Sequence, residues 1–126
     1  MSYLFSPNDP ITCAVEADVT AERLVEISGN RQVSPAAAKS AAWLGTAATS
    51  AVAGEKVAVL RGGVQRILAS GAVTAGDIVV AATGGKVATL AAVTTPTAAD
   101  VTDTRAIVGV AITGGTDVAI EIAMDR

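Results

Sequence analysis

The chain has 126 residues, 51% of them apolar, with nine Lys and Arg against twelve Asp and Glu, a net charge of -3 and a pI near 4.7. That length suits a single core, and the acidic, interspersed charge argues against a phosphate-binding surface, so no nucleic-acid partner is expected. Charged residues such as Arg23, Arg31, Glu55, Arg66 and Lys86 interrupt every apolar run before the roughly 20 residues of a spanning helix, so no membrane partner is expected either.

The start of the chain, residues 1–10, carries Pro7 and Pro10 around Asn8 and Asp9 and reads as an extended N-terminal arm. It has neither the basic start nor the long apolar stretch of a secretory signal, and nothing in it indicates export. Tyr3, Leu4 and Phe5 concentrate apolar area on this arm. Two roles are open to them: docking on a neighbouring molecule, or covering an open end of their own domain.

From residue 11 onward, short β-type runs alternate with Gly, Asn, Asp and Thr, which predicts an all-β fold: a small barrel or sandwich of short antiparallel strands. Strands are expected at 11–17, 23–28, 31–34, 56–61, 64–69, 77–82, 86–90, 106–112 and 117–123. In the last, Val118, Ile120 and Ile122 alternate with smaller or polar residues and place three β-branched side chains on one face. Gly29-Asn30, Gly62-Gly63, Gly84-Gly85 and Gly114-Gly115 supply tight turns. Two short helices are expected, one capped by Ser34-Pro35 and running through the Ala-rich stretch to Gly45, the other capped by Thr97 over 98–103.

Residues 11–126 are expected to form one β domain containing an internal repeat, about 19–60 against 73–122. Val19-Thr20-Ala21-Glu22-Arg23-Leu24-Val25 matches Val73-Thr74-Ala75-Gly76-Asp77-Ile78-Val79 at an offset of 54. Asn30-Arg31-Gln32-Val33 matches Gly84-Gly85-Lys86-Val87, and Trp43-Leu44-Gly45-Thr46-Ala47 matches Ile107-Val108-Gly109-Val110-Ala111. A fourth block sets Gly54-Glu55-Lys56-Val57-Ala58-Val59 against Gly115-Thr116-Asp117-Val118-Ala119-Ile120. The simplest structure is two similar β motifs packed together.

Chemistry is hard to place on this sequence. It contains no His, which removes the commonest general base, nucleophile orienter and metal ligand. The lone Cys13 lies between Thr12 and Ala14 and reads as a small core residue. The pairs Glu16/Asp18, Glu22/Glu26 and Asp100/Asp103 lack the aromatic cleft of a glycosidase and the dense oxygen ligands of a Ca²⁺ loop, so they read as solvated loop and edge charges. No enzyme activity, catalytic residue, metal or other cofactor is expected. Trp43, the single indole, has two readings, a core plug or an anchor in a partner interface. With 27 Ala, 17 Val and three aromatics, the core is built from small side chains, and association with other chains is a natural way to add burial.

The run Val73-Thr74-Ala75-Gly76-Asp77-Ile78-Val79, then Gly84-Gly85-Lys86-Val87, then Ile107-Val108-Gly109-Val110-Ala111 and a final alternating strand resembles the decoration, or cement, proteins of tailed-phage capsids. Ala53-Gly54-Glu55-Lys56-Val57-Ala58-Val59 and Gly62-Gly63-Val64 are similar to the central hairpin of that family, so the likeness covers most of the chain from about Val19 onward. The resemblance implies a protein made in the host cytoplasm and carried on the outer surface of the virion head, as trimers that bridge major capsid protein subunits and stabilise the expanded shell. The arm is outside the matched blocks. Assigning Tyr3, Leu4, Phe5, Pro7 and Pro10, with Trp43, to a partner interface rests on their apolar character alone. Other readings are a tail- or fibre-associated virion module, or a β module that binds a carbohydrate or other ligand.

Overall fold

The computed structural model describes residues 9–91 and 95–125. The fold is all-β, as expected. Twelve strands are present among the described residues: β1 (Ile11–Val15), β2 (Leu24–Gly29), β3 (Gln32–Pro35), β4 (Trp43–Ala47), β5 (Lys56–Leu60), β6 (Val64–Leu68), β7 (Ala72–Val73), β8 (Ile78–Ala82), β9 (Lys86–Thr89), β10 (Ile107–Ala111), β11 (Gly115–Thr116) and β12 (Ala119–Met124). One helix, α1 (Ala98–Asp103), continues into a 3₁₀ turn over Thr104–Ala106. Thr97 caps it as expected, in a reciprocal box in which Asp100 accepts the Thr97 backbone N–H.

β1 to β5 close into a barrel in the order β1-β3-β2-β4-β5, and β6-β12-β10-β8-β9 form a second five-stranded sheet. Read from β3 and from β9, the two orders correspond strand for strand, β3-β2-β4-β5-β1 and β9-β8-β10-β12-β6. The registers correspond as well. Leu24 and Val25 lie opposite Thr46 and Gly45, and Ile78 and Val79 lie opposite Val110 and Gly109. Each pair of strands then shifts register by a bulge, at Leu44 in the first half and Val108 in the second. Both bulges need glycine beside them: a Cβ on Gly45 would collide with the Leu60 carbonyl oxygen, and one on Gly109 with that of Ala123.

In place of the single core expected from the length there are two, and they follow the same correspondence. Cys13, Val15, Val25, Val33, Ala47, Val57 and Val59 fill the barrel, and Ile67, Ala69, Val79, Val87, Ala111, Ile120 and Ile122 take the matching places in the second sheet. The pairing puts Val57, opposite Cys13, in the position of Ile120, opposite Ile67. The fourth block of the sequence alignment, which set Val57 against Val118, is therefore two residues out of register.

The halves differ at one seam. In the barrel, β1 and β3 run parallel, and the Ala14 N–H donates to the Arg31 carbonyl at 3.0 Å. In the second sheet the corresponding acceptor, the Gly85 carbonyl, takes the Leu24 N–H of β2 at 2.7 Å, while the Gly85 N–H donates to the Ala36 carbonyl at 3.0 Å. The outer face of the barrel is thus wedged into the second sheet, where a single Ala69–Val87 bridge, just past the end of β6, is the pairing between the β6 and β9 sides among the described residues. Leu24, Ala36 and Trp43 complete the core of that sheet from outside it.

This wedge corrects the helix expected after Ser34-Pro35. Pro35 ends β3 opposite Val25, and Trp43 to Ala47 form a strand. Between them Lys39 sits at φ +56°, outside the right-handed helical region, with its N–H donating to the Ala81 carbonyl of β8. Docking onto the second sheet overrides the modest helical preference of the Ala run.

Candidate binding surface

Each carboxylate pair singled out in the sequence has a local structural task on at least one of its members. Glu26 accepts the Ala37 N–H at 3.0 Å and the Ser40 hydroxyl at 2.7 Å, which ties the loop before β4 to β2. Asp18 accepts the Ala53 N–H at 2.9 Å, Asp100 caps α1, and Asp103 pairs with Lys39 at 2.8 Å. That bond and the Asp103 charge raise the Lys39 pKa above its ordinary value. Among the described residues no group of three His, Cys, Asp or Glu is placed to hold a metal ion, and no helix is long and apolar enough to cross a membrane. Cys13 is 2% exposed inside the barrel; burial raises its thiol pKa, and the Arg31 charge lowers it by less.

The residues expected at a partner interface separate. Tyr3, Leu4, Phe5 and Pro7 lie outside the described residues. Pro10 is exposed next to Asp9, whose carbonyl accepts from Arg61 Nε at 3.1 Å and Nη2 at 3.0 Å. Trp43 is a correction to the interface assignment: at 1% exposure it is a core residue, the first of its two readings, and it contributes to the core of the second sheet from a strand of the first.

A surface the sequence did not single out lies on the outer face of the second sheet. Val64 of β6 is opposite Ala123 of β12, Ala123 is opposite Val110 of β10, and Val110 is opposite Ile78 of β8. Residues directly opposite across a sheet point to the same side, so these four form one apolar row. Val64, Val110 and Ile78 are 59%, 42% and 46% exposed. Arg66 and Glu121, opposite one another and two residues along, give the row a charged edge. Leu60, 39% exposed, lines a groove between the halves together with Val64, Gln65 and Thr46. In that groove the buried Thr46 hydroxyl donates to Gln65 Oε1, and Gln65 Nε2 donates to the Gly62 carbonyl at 3.1 Å. Each of the four strands supplies one member of the row, and only the cross-strand register brings them together.

No known family and no curated protein matches the sequence. Among solved structures, the fold is similar to the N base of head fiber gp8.5 in bacteriophage phi29, with a TM-score of 0.67, 16% identity and 94% of each chain covered.

Proposed function

We propose that this chain is a non-catalytic structural subunit of a tailed-phage virion, carried on the outer surface of the head, where it binds the major capsid protein and stabilises the expanded shell. The observation that carries this reading is the likeness to a head-fibre base over nearly the full length of both chains. The order of sequence blocks from Val73 to Ala111, similar to capsid decoration proteins, points the same way. A surface row of Val64, Val110, Ile78 and Ala123 fits a protein that works by apolar contact. The subunit self-associates, with a trimer as the expected size, and needs no cofactor. Repeated weak contacts on a lattice add up through avidity, which a small protein with a core of Ala and Val can exploit.

The same likeness favours one variant of the reading, in which the domain is the base of a longer head projection rather than a free-standing cement protein. Co-sedimentation of the purified chain with expanded, undecorated heads of the source phage tests both. Saturable binding at a fixed number of copies per head, with raised resistance of the heads to heat, is the result expected of a cement protein. Saturable binding with unchanged heat resistance would favour the projection base. No binding at any concentration would overturn the assignment to the head.

A further inference from the structure

The matched strand order of the two halves has a consequence for the exposed apolar row. In the first half, the face formed by Leu24, Thr46 and Leu60 is the one that meets the second half. By strand register, Ile78, Val110 and Ala123 occupy the same positions in the second half, and there the face is open to solvent.

The receiving side has an equivalent too. Leu24 meets Gly85, Thr46 meets Gln65, and Leu60 shares a groove with Val64. An offset of 54 carries these acceptors onto Arg31, Ile11 and Pro10 of the first half. Arg31 and Pro10 are exposed, and Ile11, at the end of β1 opposite Val59, packs against the barrel core and stays half-buried, leaving only its outer edge to a partner. We propose that Ile78, Val110 and Ala123 of one copy dock on Arg31, Ile11 and Pro10 of a second copy, repeating between molecules the contact that joins the two halves within one.

The chemistry of the two surfaces matches this occupant. The polar pair Thr46–Gln65 of the internal contact becomes the apolar pair Val110–Ile11, so neither side buries an unpaired hydroxyl or amide. Arg23, which reaches the Gly84 carbonyl at 3.5 Å, becomes Asp77, whose carboxylate also accepts the Thr74 N–H and the Thr89 hydroxyl. The turn it faces now carries Arg31, whose Nε donates to the Thr12 carbonyl, so the long-range charge match of an acid and a base is kept. One feature does not transfer. The seam that Leu24 enters in the second half is already closed in the first by the Ala14–Arg31 hydrogen bond. The contact between copies is therefore made by side chains without the backbone wedge, and is weaker than the internal one. It joins unlike faces, so it propagates head to tail and closes into a ring where the rotation allows.

This specifies the contact behind the self-association proposed above, and it is measured on the free chain, so failure to bind heads and failure to self-associate are read separately. Sedimentation velocity of the full chain over a range of concentrations is expected to show reversible association beyond the monomer. Val110→Lys and Arg31→Glu are each expected to raise the dissociation constant by at least about tenfold, with far-UV circular dichroism unchanged. Mixed in equal amounts, the two variants should form a one-to-one heterodimer, since one intact junction remains between them. Should Val110→Lys fail to fold, Ile78→Lys takes its place. A wild-type chain that stays monomeric, or variants that associate as the wild type does, would overturn the proposal. So would a mixture that gives no heterodimer, or loss of association on deletion of residues 1–8, which would make the N-terminal segment the occupant.

Discussion

Glu22 and Gly76 hold the same place in the two halves and show what a single backbone angle costs. Each follows a Thr-Ala pair, each donates its N–H to an alanine carbonyl, Ala47 at 3.0 Å and Ala111 at 2.7 Å, and each has positive φ, +63° and +95°. Glycine adopts that region without the Cβ penalty of about 1–2 kcal/mol that other residues meet, though it loses more freedom on folding. A Cβ on Gly76 would meet nothing within 4 Å, so the backbone angle alone decides the cost. Gly76→Ala should therefore destabilise by about 1 kcal/mol. Glu22→Gly should be neutral or stabilise by up to about 1 kcal/mol. Urea denaturation of both variants checks this, and a stabilising Gly76→Ala would mean that the turn relaxes to negative φ.

At the scale of elements, β4 is the longest of three strands the sequence hid, the others being the two-residue β7 and β11. The turns at Gly62-Gly63 and Gly84-Gly85 were legible because these glycines mark positions of positive φ, and β12 because the buried Ile120 and Ile122 alternate with less buried residues, although Val118, expected on the same face, lies before the strand and is exposed. β4 has the pattern of neither a one-sided strand nor a helix, since Ala47 points into the barrel while Trp43 and Thr46 face the second sheet. Burial on both sides erases the period of two that sequence reading depends on. The exposed row was illegible for a related reason, as Val64, Ile78, Val110 and Ala123 lie far apart in the chain and meet only through register. Trp43→Ala tests the two-sided role of β4. Loss of a buried indole should destabilise by about 3–5 kcal/mol, seen as a lower denaturation midpoint, whereas an unchanged midpoint would return Trp43 to the surface anchor considered from sequence.

At the scale of the whole molecule, the seam decides whether two similar halves behave as one unit. The barrel has its own closed hydrogen-bond ring, but the core of the second sheet is complete only when Leu24, Ala36 and Trp43 are inserted, and Gly85 is bonded through both its N–H and its carbonyl to the first half. Opening the joint would expose the apolar lining of the second sheet and leave those backbone groups to water, so the second half has little reason to stay folded alone. Because Trp43 is the single tryptophan and sits in this joint, its emission reports the joint directly, while far-UV circular dichroism reports the strands of both halves. The two signals are expected to change together in one thermal transition. A barrel that kept its ellipticity after the tryptophan emission had shifted red would show that the first half folds by itself, and that the second is held in place by docking on it.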